Sequence, residues 1–181
     1  MEEGSNITKS LRRIAIIGPE CTGKTTLSKQ LADFYKTQWV PEYAREYVLK
    51  LNNKYTFDDV EIIAKMQQNQ IHTNYPLSNK YVFFDTDLII TKVWFDVVYK
   101  KEPEWLSEAI KESGFDLYLL CATDLPWQAD IVRENGGQMR ENLFQIYKNE
   151  LEKYKFNYCI IDGTDGSRLN KSIAILESYF K

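Results

Sequence analysis

An α/β fold, one parallel sheet with helices on both faces, is what this sequence predicts, and three observations predict it. Short apolar runs alternate with helical patterns from end to end, the signature of β-α-β units. The first run opens into a loop with glycines at Gly18 and Gly23 and then into a helical pattern. The 181 residues, 44% hydrophobic and 27% charged, fit one domain able to bury its own core.

Residues 14–17, 38–40, 81–84, 117–121 and 158–161 read as five strands, each bounded by turn residues or charges. Between and after them, residues 24–35, 42–51, 57–73, 88–100, 105–113, 141–154 and 169–180 are long enough for helices. Thr56 with Asp59 is a capping-box variant, and Val60, Ile63, Ala64, Gln67 and Ile71 follow it along one helical face. The domain is read as residues 13–181 after an extension of residues 1–12. Its least regular stretch, residues 123–140 with Pro126 and the Gly136–Gly137 pair, reads as a lid or as an ordinary connection.

Composition narrows the function. Lys plus Arg is 23 against 26 for Asp plus Glu, a net charge of -3, so there is no basic excess to favour nucleic acid. The chain has one histidine, His72, and its cysteines Cys21, Cys121 and Cys159 lie far apart, a poor basis for zinc sites or a disulfide framework. Residues 1–9 are polar and acidic, and no apolar run approaches ~18 residues, so no membrane partner is expected and the cytoplasm is the expected setting.

Gly18-x-x-x-x-Gly23-Lys24-Thr25 after a strand and before a helix is a P-loop in its required context. The loop amides of Glu20, Cys21, Thr22 and Gly23, with Thr26 at the helix start, are expected to face phosphate oxygens. Lys24 is expected to reach the β- and γ-phosphates and the Thr25 hydroxyl to ligate magnesium, which makes ATP and Mg2+ the expected cofactors. Cys21 inside the loop reads as a backbone contributor rather than a redox centre.

In an open parallel sheet, ligands bind beyond the carboxyl ends of the strands, and the remaining candidates fall there. Glu42, Tyr43, Arg45 and Glu46 follow the second strand, with Glu42 the expected base or orienting group and Asp85 the alternative. Helix-start acids also favour the dipole, so a solvated helix end is the other reading. The third strand ends in Asp85 and Asp87, as a Walker B strand would. Asp85 is expected to hold magnesium and Asp87 to reach a substrate hydroxyl, although acids at strand ends also serve solubility. Arg133 and Arg140 are read as lid arginines, and Arg168 as an adenine contact. Glu42, Glu46, Asp85, Asp87 and Asp96, interleaved with Tyr43, Tyr47 and Trp94, form an acidic aromatic surface suited to a cationic acceptor.

The segments GPECTGKTTL, WVPEYAREY, FFDTDLIITKVW, LYLLCATDLPWQADIVRE and IIDGTDGSR, in this order from about Arg13 to the C-terminus, resemble the ribosylnicotinamide kinase domain of NadR-like proteins. The resemblance implies a three-layer P-loop kinase sandwich that phosphorylates the 5'-hydroxyl of nicotinamide riboside, with ATP and a small nucleoside as its partners. By position it implies an acceptor side of Glu42, Tyr43, Arg45, Asp85, Asp87, Trp94 and Trp127, and a lid bearing Arg133 and Arg140. Cys21 departs from the serine more usual in the family. The nucleotidyltransferase domain and DNA-binding segment of longer members have no counterpart in this sequence. A kinase for another nucleoside or a monophosphate, and a nucleotide-dependent regulatory ATPase, are the alternative readings.

Overall fold

The computed structural model describes residues 11–51, 53–76, 80–130, 133–164 and 166–181. Residues 1–10 of the expected extension therefore lie outside the described residues, as do residues 131–132 of the expected lid. Five parallel strands form one sheet in the order β2-β3-β1-β4-β5. They are β1 (Arg12–Ile17), β2 (Gln38–Val40), β3 (Tyr81–Asp85), β4 (Leu117–Cys121) and β5 (Tyr158–Ile161). β1 occupies the centre, with Ile14 opposite both Phe83 and Leu117, so the loop that follows it emerges mid-sheet.

Strand alternation sorts the core into two layers. Ile14, Ile16, Tyr81, Phe83, Leu117 and Leu119 face α1 (Lys24–Tyr35) and α7 (Gly166–Tyr179), packing against Leu27, Leu31 and Leu176. Ala15, Ile17, Val82, Phe84, Tyr118 and Leu120 face the opposite way. They meet α3 (Phe57–His72), α4 (Leu88–Trp94), α5 (Leu106–Lys111) and α6 (Gly137–Lys153). A short α2 (Tyr43–Lys50) follows β2. This is the three-layer arrangement expected. Among the described residues no helix is long and apolar enough to cross a membrane.

Most boundaries match the sequence reading within a few residues, and the Thr56–Asp59 capping box is present, the Thr56 hydroxyl accepting from the Asp59 amide. Two helices differ in a way that bears on the site. The pattern over residues 88–100 reads as one helix, but after Trp94 the chain widens into a π-helix, Phe95–Tyr99. Hydrophobic periodicity does not register a turn widened this way. Here the buried Lys92 ammonium meets Asp96 at 2.6 Å, Glu102 at 3.2 Å and Glu150 at 3.4 Å, tying the π-turn to α6. The helix expected from residue 141 starts four residues earlier. Of its Gly-Gly pair, Gly136 lies close under the Trp127 ring, which a Cβ there would approach to 3.1 Å, and Gly137 takes the left-handed φ of +57° at the helix start.

Candidate active site

The P-loop is held by steric need below and by two arginines around it. Gly18 has φ +143°, and a Cβ there would stand 2.7 Å from the Cys121 carbonyl oxygen, so only glycine fits. Gly23, φ +75°, starts α1 from a left-handed conformation. The Thr22 hydroxyl and the Lys24 ammonium both donate to the Pro19 carbonyl at 2.8 Å, closing the loop on itself. Glu20, Cys21, Thr22, Gly23, Lys24, Thr25 and Thr26 all line a cleft of about 740 Å³, as expected of a phosphate site.

Arg140 and Arg168 lie elsewhere than the sequence suggests. Arg140 sits inside α6, buried, and donates to the Cys21 carbonyl at 2.9 Å and the Leu125 carbonyl at 2.8 Å. It is a loop support, because the earlier start of α6 carries it off the lid. Arg168, in the first turn of α7, donates to the carbonyls of Gly163, Thr22 and Ala122 and pairs with Asp124. With its guanidinium occupied in the interior it does not line the cleft, and the expected adenine contact is replaced by a clamp beneath the loop.

At the end of β3 the two acids divide. Asp85 is buried, and among the described residues neither carboxylate oxygen has a hydrogen-bond partner. Burial raises its pKa, while the Thr25 hydroxyl and the Lys24 ammonium act in the opposite sense. Such a carboxylate beside a hydroxyl is a hard oxygen pair, and it fits a magnesium ion. Asp87 turns away: it is 1% exposed and caps α4, accepting from the Ile89 amide at 3.1 Å. Burial pushes its pKa up to about 7, with Tyr118 and the helix-start amides acting downward. It cannot meet a substrate hydroxyl there. Thr86 between them has φ +77°, costly for a β-branched residue. Its amide donates to the Ile16 carbonyl at 3.0 Å and its hydroxyl accepts from buried Gln67 at 3.1 Å, which fixes the turn that separates the acids.

Across the cleft stands Glu42, half-buried at the N-cap of α2. Burial raises its pKa, Lys24 lowers it, and Asp85 raises it further. The acidic surface is otherwise smaller than expected. Glu46 pairs with Lys50, Asp96 with Lys92, and the Tyr47 hydroxyl donates to Asp59. Tyr43 meets Tyr47 at a 43° tilt outside the cleft lining, and Trp127 is spent on Gly136. Arg45 and Trp94 do line the cleft. Trp94 meets Tyr55 edge to face at 4.7 Å, and Val48, Leu49, Val97 and Val98 extend this wall with aliphatic surface.

The segment after β4 is pinned to the P-loop. The Glu20 carboxylate accepts from the amides of Glu134 at 3.0 Å and Asn135 at 2.9 Å, and the Cys21 sulfur accepts from the Gln128 amide at 3.2 Å. Asp130 pairs with both Arg45 and Arg133, and both arginines line the cleft. Tyr55, Gln67, Glu134 and Tyr147 escaped the sequence reading. Tyr55 donates to Glu134 at 2.8 Å, a contact between residues 79 apart that no local pattern announces. Tyr147 had a signal, lying at helical spacing from Arg140 and Leu143 on one face of α6.

The AAA domain family matches residues 13–168. The trifunctional NAD biosynthesis/regulator protein NadR of Salmonella typhimurium is 31% identical over 147 residues, 79% of this chain. The chain spans 36% of the length of that relative. The crystal structure of NadR protein in complex with NR superposes with a TM-score of 0.77 at 22% identity, covering 93% of this chain and 50% of that one. Deoxyadenosine kinase from M. mycoides superposes with a TM-score of 0.65 at 16% identity, covering 92% of this chain and 99% of that one. The fold is that of the P-loop kinases.

Proposed function

Given that the chain belongs to the AAA domain family, we propose that it is an ATP-dependent kinase that phosphorylates the 5'-hydroxyl of nicotinamide riboside to give nicotinamide mononucleotide. One observation carries the kinase reading. Asp85, buried and without a hydrogen-bond partner among the described residues, lies beside Lys24 and Thr25, and these two line one cleft together with Glu42, Tyr55 and Trp94. A phosphate cradle facing a carboxylate across one cleft is what transfer to an alcohol requires. Similarity to NadR, one structure of which holds NR, supports the choice of acceptor.

On this reading the P-loop amides and Lys24 bind the phosphates, and Arg133 meets charge on the moving phosphoryl group. Thr25 and Asp85 would hold magnesium, which supplies charge neutralisation on the phosphate oxygens. Glu42 orients the acceptor hydroxyl and takes its proton as the new O–P bond forms and the bond from the γ-phosphorus to the departing ADP oxygen breaks. Burial that raises the Glu42 pKa makes it a better proton acceptor than an exposed glutamate. Tyr55 and Trp94, packed edge to face in the cleft wall, would meet the base.

A screen of ribonucleosides as phosphate acceptors with ATP tests this. Acceptor-dependent ADP release highest with nicotinamide riboside is the expected result. A strong preference for a purine or pyrimidine nucleoside would move the chain to the second reading, a kinase for another nucleoside, which the fold match to deoxyadenosine kinase favours. A slow rate indifferent to every acceptor would sink both and leave a regulatory ATPase.

A further inference from the structure

One polar group at the cleft has no role in the account above. Tyr147, 6% exposed on α6, lines the cleft one turn after Leu143. Its ring belongs to the core on that side of the sheet. Among the described residues its hydroxyl has no hydrogen-bond partner, although Tyr118, comparably buried, contacts the Ser113 hydroxyl at 3.4 Å. Unlike the enclosed carboxylate oxygens of Asp85, this hydroxyl keeps access to the cleft, so it is free to hydrogen-bond a group that enters there. Facing the cleft, this one is placed to be satisfied by what the cleft binds.

The chemistry around it says what that is. Burial and the carboxylates of Glu20, Glu42 and Asp87 all raise the Tyr147 pKa, so the phenol keeps its proton and acts as a donor. Glu42, on the facing element, is an acceptor. A hydroxyl group is the neutral ligand group that can give a hydrogen bond to a carboxylate and take one from a phenol. The reacting hydroxyl is already held by Glu42, which takes its proton, so the phenol is left for a neighbouring hydroxyl of the same sugar. We infer that Tyr147 is a substrate-specificity residue that donates a hydrogen bond to a non-reacting ribose hydroxyl of the acceptor, so that the enzyme reads the sugar as well as the base. This rests on the kinase reading and deepens it.

The support of α6 makes the placement stiff. Arg140, two turns before Tyr147, ties the helix to the Cys21 and Leu125 carbonyls. The distance from loop to phenol is therefore set by one rigid helix rather than by the lid. Tyr147→Phe keeps the ring in the core and removes only the unpartnered hydroxyl, so it should fold.

The test measures initial rates of the full chain and of Tyr147→Phe with nicotinamide riboside and its 2'-deoxy and 3'-deoxy analogues, together with thermal unfolding of both proteins. Removing a hydrogen bond that exists only in the complex should raise KM for the riboside about tenfold, leave KM for ATP and the Tm of the free protein unchanged, and shrink the wild-type penalty against one deoxy analogue. Wild-type turnover with an unaltered riboside KM or unaltered discrimination in Tyr147→Phe would overturn this inference and leave the kinase reading standing. A lowered Tm with both KM values shifted alike would overturn it in favour of a packing role. A wild-type protein that phosphorylates no riboside would overturn both readings.

Discussion

Arg168 of the last helix donates a hydrogen bond to the Thr22 carbonyl at 2.8 Å, joining residues 146 apart in sequence and holding the phosphate loop from below. The same guanidinium satisfies the Gly163 and Ala122 carbonyls and pairs with Asp124. Replacing it with methionine strands several buried acceptors, and the expected loss is about 3 kcal/mol in urea-unfolding free energy. KM for ATP and for GTP should rise together, since the loop rather than the base is affected. An increase confined to ATP would restore an adenine contact.

Lys24→Ala is expected to abolish turnover while the melting temperature stays near that of the wild type. Among the described residues its ammonium makes one hydrogen bond, to the Pro19 carbonyl, so little of the fold depends on it. The charge it answers arrives with the phosphates. Retained wild-type activity in the purified variant would remove the phosphate assignment.

For Glu42→Gln the expected loss is in kcat, on the order of the ~100-fold to ~10,000-fold that general bases supply. The wild-type rate should fall as pH drops through the Glu42 pKa, which burial holds above the ordinary glutamate range, and Glu42→Gln should lose that acid limb. An intact limb and kcat in Glu42→Gln, beside a large loss in Asp85→Asn, would assign the base to Asp85.

Asp87 should leave its mark on stability rather than on turnover. Its folded pKa is about 7 against 3.8 for the ordinary group, because burial disfavours the ionised form. The folded state therefore holds a proton that the unfolded state releases between these values. That contribution is complete below about pH 4 and is lost as pH rises through about 7, at about 1.4 kcal/mol per unit of difference. Asp87→Asn keeps an acceptor for the Ile89 amide and should flatten this part of the stability profile, read by denaturant unfolding at several pH values, while acceptor KM stays where it is. A raised acceptor KM would return Asp87 to the substrate side.

Charge on the acceptor base should still matter, through fewer groups than the sequence suggested. Glu42 lines the cleft with Trp94 and Tyr55, buried Asp85 lies beside Lys24, and a cation-π contact would add ~0.5 to ~2 kcal/mol. kcat/KM for nicotinamide riboside should exceed that for its uncharged reduced form, for uridine and for cytidine by at least about tenfold. Equal rates for the oxidised and reduced ribosides would show that the wall reads shape alone.

What the sequence determined by itself was everything carried by local pattern. The five strands follow from runs such as Leu117–Cys121, because a parallel strand buried on both faces must be apolar throughout. The P-loop follows from glycines at fixed spacing between a strand and a helix, since backbone conformation and phosphate binding make the same local demand. What only the tertiary structure decided was which charged side chains are already spent. Asp85 and Asp87 are indistinguishable as residues at a strand end, yet the left-handed turn at Thr86, held by Gln67 from α3, leaves one unpartnered and makes the other a helix cap. Arg133, Arg140 and Arg168 are likewise equivalent in sequence. Arg133, held by the neighbouring Gln128 and Asp130, still lines the cleft, while Arg140 and Arg168 are buried on carbonyls that include Cys21 and Thr22, each more than a hundred residues away. A charged group is available to a ligand only if the fold has not already satisfied it, and that depends on partners distant in the chain.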